Sequence, residues 1–285
     1  MALDNILLDN PTQVILDDFD NPPDPERVIE GLRDTGYDFN TAIADIVDNS
    51  IAAEATQIDI LINMDPHNEV TVYIADNGIG MNLPQLVNAM KYGSDRRPDP
   101  SSLGKFGLGL KTASTSFCRK LSLISRGDDH QLRKVQWDLD YVAEKGWKLK
   151  NLAVSEDEEE IFEQTAGDGT GTVVVWENND RLFLREYKQK AAAQNALDKI
   201  IDKLRFHLSV VYQRFLDVGR PDVPNVTITL NNKPVEPWDP FCIGEQNTEL
   251  LATKTIKVTM HPVLFRRFRG EHILFQHFCF LLFSL

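Results

Sequence analysis

Apolar side chains recur three and four residues apart at Ile43, Ile46, Val47 and Ile51, a spacing that predicts a helix over residues 40–55 with one buried face. An earlier helix is expected from Pro25, a residue suited to a first helical turn, through Leu32. The pattern then changes period. Residues 58–64 and 70–75 alternate or run apolar with β-branched side chains around the turn formers at 65–68, which predicts two antiparallel strands. A short helix over 83–92, a polar loop over 93–102 with Pro98 and Pro100, and a helix over 107–117 follow. Strands are expected again at 120–125, 132–138, 147–152 and 171–176, then one long helix or two consecutive ones over 182–218, and a further strand at 225–230. Helices ahead of a meander that needs a covered face make an α/β two-layer sandwich with a mixed, mostly antiparallel sheet.

Punctuation divides the chain. Residues 1–24 carry Pro11, Pro22 and Pro23 among Asp and Asn and read as an arm with at most one ordered stretch at 12–16. A core domain is expected over 25–180, a helix and a smaller α/β region over 181–260 with the boundary near 177–181, and an atypical apolar tail over 261–285. The composition of that tail departs from the acidic body, as a truncation or a change of reading frame would make it do. The acidic run at 155–160 reads as a solvated loop or a helix start.

Charge and cysteine content narrow the function. With 30 Lys and Arg against 43 Asp and Glu, the net charge of −13 gives a field that repels nucleic acid and anionic membranes, so any DNA contact must be local. Arg96-Arg97 and the 203–207 stretch are the local basic features of the body. The opening residues lack a basic and apolar leader, and no apolar run approaches the ~18 residues needed to span a bilayer, which predicts a cytoplasmic protein. Cys118, Cys242 and Cys279 form no CxxC pair and are expected to be buried thiols.

Three segments concentrate the chemistry. Asp45 and Asn49 lie one helical turn apart, so a carboxylate able to deprotonate water and an amide oxygen suited to magnesium face the same way. Asp76 ends an apolar strand and leads into Gly78, Gly80 and Met81. Asp-Asn-Gly is turn chemistry in its own right, but a carboxylate there also suits the exocyclic amine of adenine, with backbone at the glycines lying against a flat ring. Gly104, Lys105, Phe106, Gly107, Leu108 and Gly109 open a helix that continues through Lys111-Thr112. Leu110 interrupts the Gly-Lys-Thr of a P-loop, and Thr112 stands where a dinucleotide loop has its third glycine. A glycine loop feeding a helix N-terminus is left, and its free N–H groups suit phosphate. Lys105 and Lys111 either add charge there or are solvated.

In order and spacing, the strings at 46–50, 75–81 and 104–114 resemble the GHKL superfamily of ATPases (gyrase, heat-shock-90, histidine kinase, MutL), and within it MORC-like and related bacterial members. The resemblance spans roughly residues 25–180. It implies a Bergerat sandwich holding ATP and Mg2+ under a lid at about 82–103. On the matched motifs, Asn49 ligates magnesium, Asp76 binds the adenine amine, Gly78, Gly80 and Met81 border the base, and Gly104, Lys105, Phe106, Gly107, Leu108, Gly109 and Lys111 attend the phosphates. Thr172, after Gly171, matches a threonine whose hydroxyl helps hold the adenine-binding Asp.

Two positions depart from the pattern. Asp45 stands where the family usually has a Glu general base, and Ala52 where it has an Asp. Asp45 keeps the charge but loses about 1.5 Å of reach, and misplacement on the order of 1 Å can cost ~100-fold in rate. The expectation is therefore slow ATP hydrolysis with lid closure driving rearrangement or dimerisation, the alternative being a nucleotide-gated module with negligible turnover. A histidine kinase is disfavoured, because His67 is the first histidine and lies inside the nucleotide region. The resemblance makes residues 181–260 a transducer, with Lys254 and Lys257 as candidates for a lysine on the γ-phosphate. An ATP-dependent homodimer and contact with nucleic acid come from family analogy alone.

Overall fold

A computed structural model describes residues 23–34, 36–92, 109–183, 185, 187, 189–218 and 223–239. Outside them lie residues 1–22 of the arm with its 12–16 stretch, half of the expected lid (93–103), Arg96-Arg97, Gly104 to Leu108 of the glycine segment, Cys242, Cys279, Lys254, Lys257 and the apolar tail.

In chain order the elements are α1 (Pro25–Arg33), α2 (Phe39–Ala52), β1 (Gln57–Met64), β2 (Val70–Asp76), α3 (Leu83–Met90), α4 (Gly109–Thr115), β3 (Lys120–Arg126), β4 (Arg133–Asp138), α5 (Leu139–Lys145), β5 (Lys150–Leu152), α6 (Glu156–Ala166), β6 (Gly171–Glu177), α7 (Lys190–Val211), α8 (Gln213–Leu216), β7 (Thr227–Leu230) and β8 (Lys233–Pro234). They build an eight-stranded sheet in the order β5-β4-β3-β6-β2-β1-β7-β8. Every pairing is antiparallel except β1 with β7. This is the expected mixed sheet.

Local chemistry sets the helix starts. Asp24 accepts from the Arg27 N–H ahead of α1, Asp38 from the Asn40 N–H ahead of α2, and Asn82 and Gln85 form a reciprocal capping box on α3. The buried stripe of α2 (Ala42, Ile43, Ile46, Val47, Ser50) packs on the sheet with Val72, Ile74, Val174 and Trp176, leaving Asp45, Asp48 and Asn49 half-buried at its edge. Phe39, Phe117 and Trp176 close this face with edge-on and stacked rings.

The opposite face is not bare. Ala75, Ile124, Val173 and Val175 bury against Phe162 of α6, so the run Val173-Val174-Val175 is apolar because both sides of β6 are covered. The acidic run is the start of this helix, capped by Ser155 and Glu158, and its Glu158 carboxylate pairs in the interior with Lys134 at 2.5 Å. A Lys134→Met substitution strands that carboxylate and is expected to cost about 3–5 kcal/mol, most of it recovered when Glu158→Leu is added. Urea unfolding midpoints of the single and double variants check this.

The segment beyond residue 180 continues the same body. β7 adds to β1 in parallel, and Leu197, Leu204 and Leu208 of α7 enter the core that α2 occupies. Ile228 and Leu230 of β7 are buried in that same core, so packing as well as strand pairing runs across residues 177–181. Nor did periodicity foretell α5, which is seven residues long and starts on its Asp138 cap.

Candidate functional site

Asp76 closes β2 with its side chain buried at 5% exposure. Its Oδ2 accepts from the Ser50 hydroxyl at 2.8 Å and its Oδ1 from the Gly78 N–H at 3.0 Å, while the Thr172 backbone N–H bonds the carboxylate from the neighbouring strand. Burial raises its pKa and these three bonds oppose the rise. Thr172 is therefore at the expected carboxylate, but serves it through the backbone. Its hydroxyl goes to Ser125 Oγ, 2.9 Å away.

Ser125 organises the turn that follows. It donates to the Gly171 carbonyl at 2.7 Å, accepts from the Met81 N–H at 2.9 Å, and faces Thr172 across the β3–β6 pair. Gly78 leaves no room for a side chain, since a Cβ there would stand 2.6 Å from the Ala53 carbonyl oxygen. The turn is also tied by the Ile79 N–H to the same oxygen at 2.9 Å, and by the Thr170 hydroxyl to the Gly78 carbonyl at 2.7 Å. Ile79 is left outward, 62% exposed, beside the buried carboxylate.

On α2, the Asn49 amide donates to the Asp45 carbonyl at 2.8 Å, which fixes the side chain and leaves its amide oxygen as the group offered outward. Asp45 Oδ2 accepts from the Tyr37 hydroxyl at 2.9 Å. Burial raises the Asp45 pKa, the Tyr37 bond lowering it in part, and Tyr37 itself is raised by burial and by that carboxylate. Thr112 of α4 bonds Tyr37 in turn, so the helix after the glycine segment is joined through a tyrosine to Asp45. Gly109 begins that helix beside Asp45, a Cβ there lying 3.9 Å from Oδ2.

Lys111 points elsewhere. It is buried, its Nζ donates to the Ala89 carbonyl at 2.9 Å, and burial pulls its pKa down to about 8. Trp137 Nε1 takes the adjacent Met90 carbonyl at 2.6 Å, so side chains from α4 and β4 close the C-terminal end of α3. Within the expected lid, this first stretch is fastened at both ends.

Asp45, Asn49, Asp76, Gly78, Gly80, Met81, Gly109 and Thr172 thus surround one edge of α2 and the 76–81 turn, and the remaining glycine-segment residues lie outside the described part. Sequence reasoning passed over Ser50, Tyr37 and Ser125. Ser50 had a signal, a polar residue on an otherwise apolar helical stripe with Ile43, Ile46 and Val47. Tyr37 and Ser125 had none, because their partners are set by the folded packing.

The donor set suits magnesium only as a shared ligand sphere: among the described residues no cluster of His, Cys, Asp and Glu could hold a metal ion, so Asn49 would be one oxygen among phosphates and waters. No described helix is long and apolar enough to cross a membrane.

Residues 37–172 match the family described as histidine kinase-, DNA gyrase B-, and HSP90-like ATPase. The chain is 29% identical over 92 residues to ATPase MORC2B of Mus musculus, 31% over 88 residues to ATPase morc-1 of Caenorhabditis elegans and 29% over 92 residues to ATPase MORC2 of Homo sapiens. Each match covers 31% of this chain and only 9–10% of the relative. The matched family region contains both the Asp45–Asn49 helix and the Asp76 turn, and it ends on Thr172. Over residues 37–172, a little under half of its length, the chain thus carries a region similar to the histidine kinase-, DNA gyrase B-, and HSP90-like ATPases, and its sequence there is similar to MORC ATPases.

Proposed function

We propose that this chain binds ATP with Mg2+ across α2, the 76–81 turn and the glycine segment, and hydrolyses it slowly. The observation that carries the reading is Asp76, a buried carboxylate satisfied by Ser50, Gly78 and Thr172 rather than by a cation, and set beside the open face of a glycine turn. A carboxylate kept there against its desolvation cost suits a ligand amine.

Asp76 accepts the adenine amine, and Gly78 and Gly80 give the base a backbone surface. The Asn49 oxygen joins the ligand sphere of Mg2+, which neutralises phosphate charge when bound. Asp45 orients a water and takes its proton at Oδ1, while Tyr37 holds Oδ2 and so fixes the carboxylate plane. That water's oxygen bonds to the γ-phosphorus as the bridging oxygen leaves with ADP. Lid closure over about 82–103 excludes water and drives rearrangement of residues 181–260 or an ATP-dependent dimer, by analogy with gated enzymes. A cytoplasmic setting, and nucleic acid as a partner of such a dimer, belong to the same reading.

Multiple-turnover hydrolysis with Mg2+ tests it. Asp45→Asn is expected to lower the rate about 100-fold, the low end for loss of a general base, with ATP affinity little changed. Asp45→Glu, which restores reach, raises it. A wild-type chain that binds ATP without turnover, and gains turnover with Asp45→Glu, establishes the binding module instead. The acid side of the rate profile adds a check: the Tyr37 bond lowers the Asp45 pKa, so Tyr37→Phe raises that pKa and moves the acid limb to higher pH.

A further inference from the structure

The α7–α8 junction reaches the same turn of α2 through a second tyrosine. Tyr212 sits where α7 stops and α8 begins, its ring buried and its N–H bonded to the Leu208 carbonyl at 2.9 Å. Its hydroxyl stands 2.8 Å from the Ala44 carbonyl and 2.8 Å from Asp48 Oδ1. These acceptors are one helical turn apart, so a single proton serves both. Between them in sequence lies Asp45, whose own carbonyl holds the Asn49 amide.

Stability alone gives little reason for this arrangement. A buried tyrosine hydroxyl is satisfied by any carbonyl, and Ala44 already supplies one. Keeping a carboxylate half-buried against a neutral partner costs desolvation that an apolar residue would avoid. Tyr212 is also placed to transmit, because its neighbours are tied onward: Phe215 accepts from the Val226 N–H at 2.9 Å ahead of β7, and Ser209 from the Trp238 N–H at 3.1 Å.

We propose that Tyr212 is a positioning residue that holds the Ala44–Asp48 turn and thereby couples nucleotide bound at Asp45 and Asn49 to α7 and α8. The inference rests on the ATP-binding reading and adds a route from the site to the segment behind it. Tyr212 touches neither the nucleotide nor the reacting atoms. It fixes the backbone from which Asp45 and Asn49 project, and a shift of α7 against α2 moves that backbone.

Hydrogen exchange of the full chain with and without Mg-ATP separates the possibilities. In wild type, ATP is expected to slow exchange over residues 40–50 and also over 205–216. Tyr212→Phe keeps the buried ring; ATP should still slow 40–50, while the slowing over 205–216 falls at least about fivefold. Asp48→Asn, whose amide oxygen still accepts the hydroxyl, should keep the distant response. The proposal is overturned if Tyr212→Phe retains the wild-type response over 205–216, or if it loses protection throughout the sheet without ATP, which marks a structural role. A wild-type chain showing no ATP effect at 40–50 overturns the nucleotide reading itself, and the coupling with it.

Discussion

Asp76→Asn is expected to weaken ATP binding about 1,000-fold while leaving the thermal midpoint unchanged or higher. The substitution keeps the shape of the side chain but replaces an acceptor with an NH2 group. The Ser50 hydroxyl, the Gly78 N–H and the Thr172 N–H all now give to Asp76, so one of them, or the ligand amine, must face a donor. Losing a hydrogen bond to a charged group costs about 1.5–3 kcal/mol and an unsatisfied buried group about 1–3 kcal/mol, which together span that loss of affinity. Stability runs the other way. Burial raises the Asp76 pKa in the folded state, so the folded protein binds the proton more tightly than the unfolded chain does. Stability therefore falls as pH rises from the unfolded pKa through the folded one, and the ionised form at neutral pH is the costly one. A neutral Asn removes that cost, which offsets the loss of about 1–3 kcal/mol from a donor left facing the new NH2 group. Calorimetric titration with ATP and a thermal melt on the same sample read both halves. Retained ATP affinity would remove Asp76 from the site.

Such a residue was legible in the sequence because its signals are local. Asp76 closes a run of β-branched residues and opens a glycine turn, and Asp45 and Asn49 share a face by spacing alone. Most of what supports them was not legible. Ser50 is 26 residues from Asp76, Thr172 reaches it through strand pairing, and Tyr212 is 164 residues from Asp48. The two-layer sandwich followed from element order, yet α6 on the second face did not, since its acidic sequence buries little more than Phe162, Thr165 and the Glu158–Lys134 pair. The parallel β1–β7 pairing is equally long-range, and it is what joins the late helices to the early core.

Gly80 carries the largest expected loss of stability in the site. Its φ of +62° is left-handed, where an L side chain costs about 1–2 kcal/mol. A Cβ would also stand less than 3.0 Å from both the carbonyl carbon and oxygen of Arg126. Those atoms belong to the last residue of β3, held by the β6 ladder and by the Met81–Ser125–Gly171 bonds, so the backbone cannot withdraw without breaking polar pairs that fix the Asp76 turn. Overpacking of that kind adds about 1–3 kcal/mol, giving Gly80→Ala a total of about 2–5 kcal/mol. Gly167 separates the two contributions. Its φ of +56° is also positive, with a ψ of −135°, and nothing lies within 4 Å of a Cβ there, so Gly167→Ala should lose only the conformational part of its own backbone. Urea unfolding of the two variants side by side should place Gly80→Ala well below Gly167→Ala, with ATP binding lost in the first and kept in the second. Equal losses would mean that the backbone angle alone, and not the approach of β3, makes glycine necessary at the turn.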